Sequence, residues 1–453
     1  MGLEVIILAA GKGTRMHSEL PKVLHKVAGK PMLSHVINCA KKLSPDAIHV
    51  VIGHGAELVK SELSEEKINW CLQKEQLGTG HAVQQALLNI DDQQNVLILY
   101  GDVPLLTADT LKALIDELAN NQLVLLSAKL NDPTGYGRIV RKNKKIQCIV
   151  EQKDADKKTL KVNEINSGIL TSNASKLKHW LSKTNNKNAQ KEFYLTDCIE
   201  LAVNDKDKVE AIVCESEEEI LGVNNKQHLA YVERVFQSQM ANQLMLNGVT
   251  LIDPTRIDVR GNLSTGKDVE IDINSLFIGE NVLGDGVTIG SNAVIINSQI
   301  NAGTRIHANC HIENANIGEK CELGPFARIR PETVLAENVK VGNFVEIKKA
   351  NVKRGSKISH LSYIGDSDLG KDVNIGAGTI TCNYDGANKH RTIIGDNVFV
   401  GSDTQFIAPV TIGDGATIGA GSTITKDSPE QKLTLARSKQ ITIDSWQRPK
   451  KNK

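Results

Sequence analysis

Six apolar residues, Ile394, Val400, Phe406, Ile412, Ile418 and Ile424, recur at every sixth position, and glycine follows four of them. Neither a helix, with its period of 3.6, nor a half-buried strand, with its period of 2, satisfies such a spacing. It suits a coil with flat six-residue sides, each turning one aliphatic group inward so that stacked coils bury a continuous column. That architecture is a parallel β-helix. Shorter stretches of the same spelling occur at Ile278-Gly279, Ile289-Gly290, Ile317-Gly318, Leu323-Gly324, Val341-Gly342 and Ile364-Gly365. The repeat leaves the handedness open, since ordinary crossover rules favour right-handed connections. A polar run from Thr381 to His390 interrupts the ladder, and such interruptions in a solenoid mark functional loops.

The first half is built differently. Residues 1–249 hold 14 glycines and the shorter remainder holds 22, so the 453 residues divide into at least two domains. Apolar strands and helical patterns alternate through Val5–Ala10, Leu33–Lys42, Ile48–Ile52, His81–Leu88 and Val96–Tyr100. This is the rhythm of an α/β, Rossmann-like, mostly parallel sheet, whose ligand site lies beyond the carboxyl ends of its strands. The first strand empties into Gly11-Lys12-Gly13-Thr14-Arg15-Met16, with Pro21-Lys22 close behind. Gly11 and Gly13 allow a tight turn and close approach to an anion, and Lys12, Arg15 and Lys22 supply charge for a polyphosphate. Met16 stands where the dinucleotide fingerprint needs a third glycine, and no Gly-Lys-Ser/Thr completes a P-loop. Asp102 follows another strand and faces the same crevice, where a carboxylate suits a hard cation. From Lys226 to Leu246 the apolar residues Leu229, Val232, Val235, Phe236, Met240 and Leu244 keep a helical period until Gly248. The expected organisation is a nucleotide domain over 1–226, a linker helix over 227–247 and a β-helix over 248–453.

With 54 basic against 53 acidic residues, no global field draws the chain to nucleic acid or membrane. Small molecules are the expected partners. Eight cysteines show neither Cys-x-x-Cys nor zinc-ligand spacing, and no stretch approaches the ~20 apolar residues of a membrane span. A cytoplasmic protein with reduced thiols is expected.

The run Leu8 to Met16 together with Pro21-Lys22 resembles the signature of the sugar nucleotidyltransferases, which join a sugar 1-phosphate to a nucleoside triphosphate. The resemblance implies that Leu8, Ala9, Ala10, Gly11, Arg15 and Lys22 hold UTP, beside Tyr100 and Gly101. It implies Mg²⁺ held by Asp102 and Asn224, a pairing that spacing alone does not give. Gln73, Gly78 and Thr79 match the uracil-reading segment; otherwise Gly78-Thr79-Gly80 reads as a helix entry capped by Thr79. Gly137, Glu151 and Asn166 match the segments that hold an amino sugar. Two departures, Lys191-Glu192-Phe193 and Ser167, fall near the expected rim of the sugar pocket.

The ladder in turn resembles the hexapeptide acyltransferases, which implies a left-handed β-helix and a homotrimer. Gly324–Pro331, Gly342–Lys349, Gly376-Ala377-Gly378 and Asn383-Tyr384-Asp385-Gly386 extend the likeness over essentially the full length. The chain resembles bacterial bifunctional enzymes with glucosamine-1-phosphate N-acetyltransferase and N-acetylglucosamine-1-phosphate uridylyltransferase activities, whose product feeds cell-wall and lipopolysaccharide synthesis. This implies His360 as the base, Arg330 and Lys348 on the substrate phosphate, and Tyr363 and Asn374 on the sugar. Ala377, Asn383, Tyr384, Ser402, Ala420 and Arg437 then match acetyl-CoA contacts, Asn383 and Ser402 steadying the oxyanion or positioning the thioester. The alternatives are a nucleotidyltransferase whose β-helix only regulates or trimerises, and a β-helix that scaffolds another protein.

Overall fold

The structure, a computed structural model, describes residues 2–451. The chain divides into two compact units between Phe236 and Gln237.

In the first unit, β1 (Leu3–Ala9) is apolar without alternation from Val5 to Ala9, as a strand covered on both faces must be. Its successive side chains enter two separate cores: Val5, Ile7 and Ala9 on one face, Ile6 and Leu8 on the other. The other strands of its sheet are β2 (Ala47–Ile52), β3 (Asn69–Leu72), β4 (Asn95–Tyr100), β5 (Leu123–Lys129), β6 (Gly137–Lys142), β7 (Lys145–Val150), β8 (Glu164–Asn173) and β9 (Val209–Val213). They order as β9-β5-β8-β4-β1-β2-β3, with β6 on β8 and β7 on β6. β1, β2, β3 and β4 are mutually parallel, whereas β8 runs antiparallel to both its long neighbours. Helices α1 (Met32–Lys41), α2 (Ala56–Glu62) and α4 (Ala108–Glu117) cover the first face. The second is covered by α3 (Thr79–Leu87), α5 (Ala174–Lys183) and α6 (Asp197–Asn204). Val5, Ile6 and Ile7 are fully buried, each contributing about 1.5–3 kcal/mol, so a charge at Ile7 would open the sheet at its centre. The carboxyl ends of β1, β2, β3 and β4 share one edge.

Helix α7 (Lys226–Leu246) keeps the expected period. Val232 and Val235 join a small core with Met16, Val27, Met32 and Val223, while Ala241 and Leu244 belong to the β-helix core. Gly248, at φ +93, supplies the left-handed turn that stops it.

The second unit is a parallel β-helix whose short strands pair only with the coils before and after, in sheets of 11 and 15 strands. One internal column runs Val341, Ile358, Ile375, Val400, Ile418 in direct register. All six residues of the sixfold ladder are at most 2% exposed. From Ile375 to Val400 the step lengthens to take up the polar loop, which begins at Asn383 because Ile380–Cys382 still pairs with Gln405–Ile407. One rung differs from the sequence reading. In Ser275–Leu283 the strand alternation turns Phe277 inward and leaves Ile278 partly exposed.

Candidate active sites

At the carboxyl edge of the first sheet a cavity of about 490 Å³ is lined by Leu8, Ala9, Ala10, Gly11, Lys22, Gln73, Gly78, Thr79, Tyr100 and Asp102. Ten of the expected residues therefore share one hollow. Gly13, at φ +59, makes the turn, whereas a side chain at Gly11 would meet no protein atom within 4 Å. Gly11 lines the cavity and its backbone is bare, which leaves room for a group to approach it closely. Gly101 donates its N–H to Leu8 at 2.9 Å, and a Cβ there would stand 3.1–3.4 Å from Leu33, Val23 and Ala9, so a larger residue would have to push those side chains back by a few tenths of an ångström.

Lys22 pairs with Asp102, and Arg15 Nη2 donates to Asn224 Oδ1 at 2.9 Å. A Cβ added at Gly222 would sit 3.8 Å from Asp102 Oδ2 and 3.9 Å from Asn224 Nδ2. Asp102 and Asn224, 122 positions apart, thus flank one glycine. A carboxylate and an amide oxygen beside a phosphate-sized loop fit Mg²⁺, which keeps few protein ligands and takes the rest from water and phosphates. Among the described residues no group of three His, Cys, Asp or Glu offers a closed metal cage.

Gln73 is buried, its Nε2 donating to the Gly78 carbonyl at 3.1 Å and lying 3.0 Å from His81 Nδ1. That fixes the amide nitrogen and leaves the oxygen as the acceptor end of the side chain. Gln76, singled out by no sequence signal, also lines the cavity and donates to the Ala10 carbonyl at 2.8 Å. Thr79 does not cap α3. Gly78 holds the cap position, and Thr79 Oγ1 accepts from the Leu195 N–H at 3.1 Å, tying the helix entry to the loop before α6.

Toward the other end, Asn166 and Gly137 are register partners on β8 and β6. Both Glu151 carboxylate oxygens lie 3.3 Å from where a Gly137 Cβ would stand, and Oε1 accepts from Thr196 Oγ1 at 3.1 Å. Burial pushes the Glu151 carboxyl above its usual range. The same effect, with Glu151 adding charge, raises the Tyr100 hydroxyl. Lys191 adopts φ +56, a conformation better suited to glycine, and Glu192 turns onto the nucleotide cavity. Ser167 instead donates to the Leu126 carbonyl at 2.7 Å, within the sheet.

On the β-helix two groups form. Ile329 pairs with Ile347 and Lys348 with Gly365, so Arg330, Lys348 and Gly365 occupy consecutive rungs. The Tyr363 ring lies over Gly365, where a Cβ would come within 2.4 Å of its hydroxyl. Asn383 Nδ2 donates to the Tyr363 hydroxyl at 3.4 Å and to Asp366, so its amide orders this subsite. Lys389, part of the polar run but given no role of its own by the sequence, presses on Lys348, which pulls the Lys389 ammonium below its ordinary range. Arg330 also pairs with Glu346 at 2.7 Å. Asn374 stands in register with Lys357 and Phe399.

The second group is a column along one corner. The registers that align the core residues also align the positions two residues on: Asn343, His360, Ala377, Ser402 and Ala420. Each precedes a residue of positive φ: Phe344, Leu361, Gly378, Asp403 and Gly421. Arg437 Nη1 donates to the Ala420 carbonyl at 2.9 Å, at the end of the same column. Tyr384 is exposed, its hydroxyl donating to Gly386 at 2.6 Å. The column therefore places one imidazole beneath a lane of small residues.

All eight cysteines are free, and among the described residues no helix is long and apolar enough to cross a membrane. Residues 5–148 match the MobA-like NTP transferase domain, 259–353 the GMPPB C-terminal domain, and 391–426 the bacterial transferase hexapeptide with six repeats. The fold is thus a Rossmann-like nucleotidyltransferase domain followed by a left-handed parallel β-helix. A UDP-glucose pyrophosphorylase structure complexed with UDP-glucose is 15% identical over 53% of this chain and all of its own, with a TM-score of 0.44, too loose a likeness to carry an argument. The bifunctional protein GlmU of Cupriavidus pinatubonensis is 54% identical over 99% of both chains. That of Janthinobacterium sp. strain Marseille is 54% identical over the whole of both. With both units covered by these relatives, the chain belongs to the GlmU family of bifunctional proteins.

Proposed function

We propose that the chain is a bifunctional transferase that acetylates glucosamine 1-phosphate from acetyl-CoA on the β-helix and couples the product to UTP in the first unit. The reading is carried by one observation: each unit gathers its own chemically sufficient set of side chains, and the full-length relatives span both.

In the first unit a phosphate oxygen of N-acetylglucosamine 1-phosphate attacks the α-phosphorus of UTP, and the bond to pyrophosphate breaks. Lys22 and Arg15 meet the triphosphate, Gln73 reads the uracil edge, and Glu151 and Asn166 accept and orient the sugar. Asp102 and Asn224 would hold Mg²⁺, which neutralises charge on the phosphates when bound. On the β-helix Arg330 and Lys348 hold the sugar phosphate, with Lys389 adding charge and Tyr363 and Asn374 on the ring. His360 takes the proton from the glucosamine nitrogen as it attacks the thioester carbonyl. The C–S bond breaks and the thiolate of coenzyme A leaves along Ala377, Ser402 and Ala420, with Tyr384, Asn383 and Arg437 at the edges. Such a base contributes ~10²–10⁴ in rate.

Exposed Phe326 and Phe344, stacked at 5.4 Å, continue into Leu361 on the same corner. An apolar stripe beside His360 supports a homotrimer in which a neighbouring copy covers it. The test is turnover of glucosamine 1-phosphate, acetyl-CoA, UTP and Mg²⁺ with free thiol and pyrophosphate followed together. Both are expected, and chelating the metal should stop pyrophosphate release while thiol release continues. Uridylyl transfer to N-acetylglucosamine 1-phosphate without any thiol release would replace this reading with a non-catalytic β-helix.

A further inference from the structure

The imidazole of His360 is held from one side by a residue that no sequence signal marks as functional. His360 Nδ1 lies 2.9 Å from Asn343 Oδ1. The two are register partners on adjacent coils, and the Leu361 N–H donates to the Asn343 carbonyl at 3.1 Å. On the other side Ser362 Oγ donates to the His360 carbonyl at 2.8 Å. The backbones on which both side chains stand are therefore fixed by the ladder.

We infer that Asn343 is a positioning residue for acetyl transfer: its amide oxygen accepts Nδ1–H of His360, which leaves the lone pair on Nε2 for the glucosamine nitrogen. The inference rests on the reading of His360 as the base. A neutral imidazole carries one proton on either nitrogen, and its partner decides which. An oxygen acceptor at Nδ1 selects the tautomer with a basic Nε2, and it stabilises the imidazolium formed when Nε2 takes the proton. An amide turned the other way would donate to Nδ1 and leave Nε2 protonated, unable to act as base. The corner column makes Asn343 the suitable neighbour, for the other positions aligned with His360 beyond it are Ala377, Ser402 and Ala420. Ala377, the next rung, offers no side-chain acceptor.

Three variants of the full chain test this. Asn343→Leu should lower kcat for acetyl transfer about tenfold or more, within the ~10²–10⁴ that a general base supplies, with KM for both substrates within about twofold. Asn343→Asp, which can only accept, should keep most of kcat and move the acidic limb of the pH profile upward, because a carboxylate raises the imidazole pKa. A merely structural asparagine would give no such displacement. His360→Ala is the third arm. If it loses acetyl transfer while Asn343→Asp keeps the parent pH profile, or loses kcat as Asn343→Leu does, the positioning role is overturned. If His360→Ala retains acetyl transfer, the reading of His360 as base fails instead.

Discussion

Ile358 is the sharpest place to test how packing in the coil supports chemistry at its corner. Its side chain is fully buried between Val341 and Ile375 in the inner column, and its strand, Lys357–His360, carries the imidazole two residues on. Ile358→Ala removes three carbons, about 2.4 kcal/mol at ~0.8 kcal/mol each, and the cavity left behind adds to it. A total near 3–4 kcal/mol is expected, because the ladder hydrogen bonds above and below hold the coils apart and restrict collapse. Ile358→Val removes one carbon and should cost about 0.5–1.5 kcal/mol. Urea unfolding of the full chain, followed by far-UV circular dichroism, should show the β-helix transition moving to lower urea in that order. Uridylyl transfer should be unchanged while acetyl transfer falls, since what relaxation there is acts along the strand that holds His360. An alanine variant within ~1 kcal/mol of the parent, or one equal to the valine variant, would refute a close-packed column here.

Asp197 in the first unit is pushed up to about 6 by burial and then by Glu200, Glu151 and Asp154. The native state therefore holds a proton that an unfolded aspartate has released, and stability falls as pH rises from about 4 to 6. Partial exposure screens the effect, so Asp197→Asn should raise the unfolding free energy at pH 7 by roughly 1–2 kcal/mol and change little at pH 4. Equal stabilities at pH 7 would contradict this. Gly168 stands at φ +86, and a Cβ there would lie 2.5 Å from the Tyr100 ring, which lines the nucleotide cavity. Gly168→Ala should cut uridylyl transfer roughly tenfold to a hundredfold by displacing that ring, with acetyl transfer untouched. Unaltered uridylyl transfer would show that the ring position does not matter.

Much of this was readable because the signals are local. The six-residue period is written along the chain, and each coil repeats the environment of the last, so the buried residues of the ladder follow from spacing alone. The strand-to-loop passage at Gly11 and Gly13 is equally compact. Pairings across long separations are different. Nothing in spacing joins Asp102 to Asn224, and only the fold sets both around Gly222. Asn343 lay in plain view, yet its role depends on an inter-coil register that the sequence does not print. Lys389 gains meaning only when the polar loop folds it back on Lys348. Phe277 displaced Ile278 from the core because the buried series Ile271, Phe277, Leu283, Ile289 and Ile295 keeps the six-residue period, with which Ile278 is one residue out of step.

The central claim is that two independent sites work on one chain, and paired substitutions measure it most directly. Thiol release from acetyl-CoA with glucosamine 1-phosphate and pyrophosphate release from UTP with N-acetylglucosamine 1-phosphate are assayed on His360→Ala and on Asp102→Ala. His360→Ala should lose thiol release and keep pyrophosphate release, and Asp102→Ala should do the reverse. Loss of both activities in either variant would contradict the division of labour.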